Sequence, residues 1–209
     1  MKGIYNDINE IFKIPFRKIF IDLKIVGMGY KVVFNWINSI SSDIPVIQVA
    51  GDCSFEAYSW VFDNLRPTKE VQFLAKPVEF LAKEAHPIKQ DIIFIKYGEW
   101  VKVEHLKVME SSSIYIGNSS ITDEQINEFL HALVSGSNPN LKKLVIGITR
   151  DPDADLLLDS LDASLNDEHI WCIQLGNGRE CIVQNVTYED EEQEGIEIDI
   201  GRNEDVRER

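Results

Sequence analysis

The chain is short of basic residues, of cysteine and of long apolar runs, and each shortage removes a class of function. Lys and Arg number 21 against 35 Asp and Glu, a formal net charge of −14. That balance speaks against a general binder of nucleic acid or of anionic membranes, both of which are held by surplus positive charge. The three cysteines, Cys53, Cys172 and Cys181, are an odd and sparse set. They do not make a disulfide scaffold and suit a reducing compartment, so the expected location is cytoplasmic or nuclear. No apolar run approaches the roughly 20 residues that span a bilayer. The opening MKGIYNDINEIF carries acids and lacks the small-residue cleavage site of a signal peptide. His86, His105, His131 and His169 share no ligand spacing with one another or with a cysteine. A G-x-x-x-x-G-K-[ST] phosphate loop and a G-x-S-x-G nucleophile elbow are both missing. The expectation is therefore a non-catalytic chain without metal or cofactor.

What is present suits one soluble domain: 209 residues, 44% hydrophobic and 27% charged. The acidity is local. Residues 186–209 hold ten acids and three arginines, half of the net charge. The division expected is a domain over 1–186 and an acidic C-terminal segment over 187–209, in which alternating Ile196, Ile198 and Ile200 suggest an edge strand.

Between these ends, apolar periodicity alternates between strand and helix. A short helix is predicted over 4–14, stopped by Pro15. Strand starts follow near 19, 45, 70, 92, 113 and 142. Intervening helices carry Val32, Val33, Trp36, Ile37 and Ile40, then Tyr58, Val61, Phe62 and Leu65, then a short one over 78–85, then 99–109. The clearest unit is 113–148. Thr122 and Gln125 form a capping box, Ile121 and Ile126 a hydrophobic staple, and Ile126, Phe129, Leu130 and Leu133 one apolar face. Gly136 is placed as a left-handed terminator with Pro139 beyond it. The regular spacing predicts an α/β fold: a leucine-rich-repeat-like βα solenoid with a mainly parallel sheet, ending in a β-hairpin. An open α/β sheet would show the same alternation.

The run NSSITDEQINEFLHALVSGSNPNLKKLVI also closely resembles the core of the F-box-associated type 2 domain of nematode F-box proteins. The likeness is carried by Asn118, Ser119, Ile121, Thr122, Ile126, Asn127, Phe129, Leu130, Gly136, Asn138, Pro139, Leu141, Leu144 and Ile146. A tryptophan usual in the family's helix is replaced here by Leu133 or a neighbour. Weaker likenesses lie in YNDINEIFKIPFRKIFIDL and GIEIDIGRNEDVR. The resemblance implies the substrate-recognition part of an adaptor of a cullin-type ubiquitin ligase, whose F-box docks on a Skp-type linker. An F-box is not expected within this chain, since the first 15 residues are too few for it, so linker and cullin would be reached only through an F-box elsewhere. The alternative is a free-standing binder acting as scaffold, decoy or neutralising partner. Either way the partner is a protein, with no nucleic acid or membrane.

The last third changes character. Asp151 and Pro152 read as the start of a helix bearing Leu157, Leu158, Leu161 and Leu165. Asp151, Asp153 and Asp155 imitate a calcium loop, but Leu156 and Asp162 stand where it needs Gly and Glu. IWCIQLGNGRECIV reads as a hairpin turning on Asn177-Gly178, which would set Ile173 opposite Ile182 and Cys172 opposite Val183. Trp36 and Trp171 read as core, and Trp60 lies off its helix's stripe. Cys53, beside Asp52, has no cation to activate it.

The remaining signal is strand parity. With Ile19, Val71 and Ile93 facing the core, the outward residues are Phe20, Asp22, Gln48, Gln72, Phe94, Lys96 and Tyr115, with Lys143 and Val145 beyond. Aromatics interleaved with amides and single charges suit a partner-binding surface. Coverage of this face by the C-terminal segment would leave the same pattern.

Overall fold

The computed structural model describes residues 17–39, 44–66, 69–81, 83–166, 170–188 and 193–201. The helix predicted over 4–14, His169, the acidic run over 189–192 and the final residues 202–209 lie outside them. The chain divides into two compact units, residues 1–81 with 90–94 and residues 82–89 with 95–209.

The first unit begins with strand β1 (Lys18–Asp22), a helical turn α1 (Leu23–Val26), a 3-10 turn over Gly27–Gly29 and helix α2 (Tyr30–Asn38). Strand β2 (Val46–Ala50), the two-residue β3 (Asp52–Cys53), helix α3 (Phe55–Asn64), β4 (Glu70–Phe73) and β5 (Lys76–Pro77) follow. Strand β6 (Ile92–Ile95) completes it with its first three residues. The strand order is β1-β2-β4-β6, and the β1–β2 and β2–β4 ladders are parallel. Strands β3 and β5 form a separate parallel pair.

Burial alternates along the strands with the expected parity. Ile47, Val49 and Val71 are fully covered and Ile93 nearly so. Phe34 and Ile37 of α2 and Tyr58 and Val61 of α3 are likewise at 0% exposure. Ser54 caps α3 through its hydroxyl, which accepts the Ala57 amide at 3.2 Å. Tyr58, Phe62 and Phe73 form an aromatic cluster with centroids 4.9–6.2 Å apart, Tyr58 stacked on Phe62 and both tilted against Phe73. Helix α2 is phased differently from the expectation. Tyr30, Phe34 and Ile37 are its buried face, whereas Val32 is 75% exposed and Val33 and Trp36 are half-buried. The preceding α1 and 3-10 turns set the helix start at Tyr30, so the inward stripe is read from there. The helix expected over 78–85 does not form among the described residues, so β4 and β6 are joined without the regular βα step of a solenoid.

The second unit holds helix α4 (Val103–Val108), β7 (Ser113–Ile116), α5 (Asp123–Val134), β8 (Lys143–Ile148), α6 (Ala154–Leu157), β9 (Ala163–Leu165), β10 (Trp171–Gln174), β11 (Glu180–Tyr188) and β12 (Gln193–Ile200). Its strand order is β7-β8-β12-β11-β10-β9. Strands β7 and β8 pair in parallel, and every later pairing is antiparallel. The protein is thus α/β with parallel strands followed by an antiparallel series.

Helix α5 forms as its sequence dictates. Thr122 Oγ1 accepts the Gln125 amide at 3.3 Å and Gln125 Oε1 accepts the Thr122 amide at 3.1 Å. The staple residues Ile121 and Ile126 are buried, as are Phe129, Leu130 and Leu133. Gly136 has φ +94°. Its amide donates to the Leu133 carbonyl and that of Ser137 to Ala132, both at 2.9 Å, a Schellman ending.

Three expectations for the last third are corrected. Strand β12 is interior, paired with β8 on one side and β11 on the other, where an edge strand was expected. Its alternating isoleucines explain this: Ile196 and Ile198 are fully buried. The helix after Asp151 is a single turn capped by Asp153, whose carboxylate accepts the Asp155 and Leu156 amides. It ends where Asn127 of α5 takes the Leu157 and Asp159 carbonyls, leaving Leu165 on β9 and 59% exposed. The β10–β11 register pairs Cys172 with Ile182 and Ile173 with Cys181, one residue from expectation. A three-residue loop, Gly176 to Gly178, replaces the two-residue turn, with Gly178 at φ +79°. The Gly176 amide donates to the Val134 carbonyl at 3.0 Å, so the loop is anchored at the end of α5.

Candidate functional site

The outward parity of the first unit places three of the expected residues in one row. Phe20 pairs with Gln48 and Gln48 with Gln72 across β1, β2 and β4. Phe20 is 60% exposed, whereas its neighbour Ile21, of the opposite parity, is buried. Gln48 and Gln72 are half-buried, and the Gln72 amide donates to Glu70. Phe94 shares the parity on the next strand and is half-buried. Asp22 has a different occupation: its carboxylate accepts the Lys24 amide at 2.9 Å and the Ile25 amide at 3.4 Å, capping α1. It is a structural group first. Trp60, singled out for its position, is half-buried and meets Tyr30 edge-on at 5.5 Å, with Lys31 Nζ 5.9 Å from its ring.

The second unit carries the other expected residues. Lys96 follows β6 and is half-buried, with its carbonyl accepting from Asn118 Nδ2 at 3.2 Å. Tyr115 on β7 is half-buried and pairs with Val145 on β8, which pairs in turn with Glu197 on β12. Val145 is only 5% exposed, so it belongs to the packed part of this face.

Placing β12 inside the sheet adds groups that the sequence had assigned to a solvated tail. Lys143 Nζ lies 2.7 Å from Glu197 Oε2, and Gln184 Nε2 donates to Glu197 Oε1 at 2.9 Å. Asp199 stands opposite Lys143 in register and is buried at 7% exposure. Burial works against both charges of the pair. Their mutual hydrogen bond outweighs it, holding the Lys143 ammonium above its ordinary range and the Glu197 carboxyl below its own. The signal that could have found this network is the alternation of Glu197 and Asp199 with Ile196, Ile198 and Ile200, which gives β12 one apolar and one acidic face.

Reactive chemistry finds little support. Burial, and then the neighbouring Asp52, push the Cys53 thiol up to about 11. Burial and then Asp199 take Cys181 to about 12. A thiol in that range is a poor nucleophile at neutral pH. Among the described residues no group of three His, Cys, Asp or Glu could hold a metal, and no helix is long and apolar enough to cross a membrane.

The polar residues of the resemblance prove to be backbone clamps. Asn118 ties the segment after β7 to Lys96, and Ser120 Oγ donates to the Glu99 carbonyl at 2.8 Å. Asn127 holds the end of α6. Asn138, at φ +49°, donates both amide hydrogens to the end of α4, to Leu106 at 2.9 Å and Met109 at 2.8 Å. They tie the helix ends and connecting segments of the second unit together.

No curated protein and no solved structure matches this chain. Residues 85–146, which contain α4, β7, α5 and those clamps, match the family described as F-box associated, the family that the sequence resembles.

Proposed function

We propose that the chain is a non-catalytic protein-interaction domain whose target lies against the outward face of β1, β2, β4 and β6. The observation that carries this reading is Phe20, 60% exposed on a strand and in register with Gln48 and Gln72. An exposed aromatic offers large contact area with few rotors to freeze, and flanking amides orient a partner's backbone. The F-box associated match supports the finer form of the proposal: substrate recognition for a cullin-type ubiquitin ligase, with a Skp-type linker reached through an F-box and transfer chemistry left to other subunits. Lys96 and Tyr115 are proposed as contacts of the second unit. Asp22 contributes by shaping the end of β1.

Affinity purification with mass spectrometry identifies the target. Titration of that target then compares the wild-type chain with Phe20→Ala, Phe94→Ala and Tyr115→Ala. Loss of about 2 kcal/mol or more for Phe20→Ala, the range of an interface hot spot, supports the proposal. A target recovered without Skp-type linker or cullin favours the free-standing binder over the ligase adaptor.

A further inference from the structure

The first unit exposes apolar side chains within a basic segment. Ile25 of α1 is 83% exposed, Met28 in the 3-10 turn 94% and Val32 of α2 75%. The 3-10 turn runs into α2 without a break, the Tyr30 amide donating to the Gly27 carbonyl. Met28 and Val32, four residues apart, therefore stand on consecutive helical turns. Lys24 and Lys31, both exposed, flank this run in sequence. Lys31 Nζ lies 4.0 Å from Glu56 with both side chains in water, a contact of little strength. Residues 17–32 carry four bases, Arg17, Lys18, Lys24 and Lys31, against the single acid Asp22, whose carboxylate caps α1. The surplus is positive in a chain of net charge −14.

The second unit exposes the complementary chemistry. Residues 151–166 hold five acids, Asp151, Asp153, Asp155, Asp159 and Asp162, and no Lys or Arg. All five are exposed, as are Leu156 and Leu165, while Leu158 and Leu161 are half-buried. Successive turns hold the run together. The Leu158 amide donates to the Ala154 carbonyl and the Leu161 amide to the Leu158 carbonyl, both at 3.0 Å. The Asp153 carboxylate accepts the Leu156 amide at 3.3 Å, which sets an anionic group at that leucine's backbone.

We propose that the surface over residues 24–32 docks on the surface over residues 151–165 of a second copy of this chain. Leucines among carboxylates meet Ile25, Met28 and Val32 among ammonium groups, so apolar burial and charge pairing act together. The 24–32 surface laid on itself would oppose like charges, which disfavours that contact. The net charge of −14 repels two copies in general, so only an orientation that brings the basic run to the acidic one gains from electrostatics. These residues lie outside the Phe20, Gln48 and Gln72 row, so this proposal and the sheet-face proposal can fail separately.

Sedimentation velocity of the full chain, from micromolar to several hundred micromolar, tests the proposal. The sedimentation coefficient of the wild type should rise with concentration. Met28→Glu changes an exposed side chain, so it should keep the wild-type melting temperature while associating at least tenfold more weakly. The double variant Asp155→Lys, Asp162→Lys should also associate at least tenfold more weakly. It carries less negative charge, so relief of general repulsion alone would make it associate more tightly. Mixing the two variants is the sharpest arm: one keeps the acidic surface and the other the basic one. The mixture should associate at least fivefold more tightly than either variant alone. A wild type that stays monomeric throughout, an unchanged Met28→Glu, a tighter lysine variant or no recovery on mixing would each overturn the proposal. Phe20→Ala should leave the association unchanged; its loss there would move the contact to the sheet face and overturn the proposal as well.

Discussion

His105 shows how a single buried group sets a pH limit on the fold. Its Nδ1 accepts the Lys102 amide at 3.0 Å at the start of α4, and its ring meets Trp100 edge-on at 5.2 Å. Burial is the largest influence and lowers its pKa from the ordinary 6.5. The unfolded chain therefore binds a proton more readily than the folded one. Stability from this residue is complete above about pH 6.5 and declines as pH falls toward the folded value. Urea melts between pH 7.5 and 5.5 should show the fall, and His105→Gln should flatten it. An equal slope in the variant would assign the effect elsewhere. The clamps give a second residue-scale prediction. Asn127→Ala removes the side-chain donor to the Leu157 carbonyl and one of the two contacts of the Asp159 carbonyl, which His131 Nε2 also meets at 3.1 Å, so a loss of about 1–3 kcal/mol is expected in the same melts, with target binding intact. The spacing of Asn118, Asn127 and Asn138 was legible in the sequence; their long-range partners were not, because each reaches a carbonyl 22 to 32 residues away.

At the scale of elements, legibility followed how local the determinants are. Helix α5 carries its start, face and stop within its own residues, and all three formed as written. Phe129 is fully buried on that face, so Phe129→Ala should cost about 3–5 kcal/mol; a loss below about 1 kcal/mol would remove α5 from the core. Helix α2 was misphased because its start depends on the α1 and 3-10 turns before it. The β10–β11 register slipped by one because Gly176 is tied to the end of α5, a contact distant in sequence. The segment over 78–85 has helical apolar spacing but leaves Val78 81% and Leu81 55% exposed, so no helix face is buried there to repay ordering.

For the whole molecule, the α/β class and the inward strand parity were readable, since both rest on an alternation that β2, β4, β6 and β7 repeat. The position of β12 was not. Charge density made residues 187–209 look like a solvated tail, yet pairing on both sides builds Gln193–Ile200 into the second unit and brings Glu197 and Asp199 onto its face. The cysteines are free, and reductant or chelator is expected to leave the melting temperature unchanged; a drop of several degrees with either would reveal an uncounted cross-link or ion. The central claim concerns the β1–β6 face, and calorimetric titration of the purified target against wild-type chain and Phe20→Ala tests it most directly. The account predicts at least a 30-fold weaker Kd for the variant, corresponding to about 2 kcal/mol, with an unchanged melting temperature. Equal affinity of the two chains would contradict it.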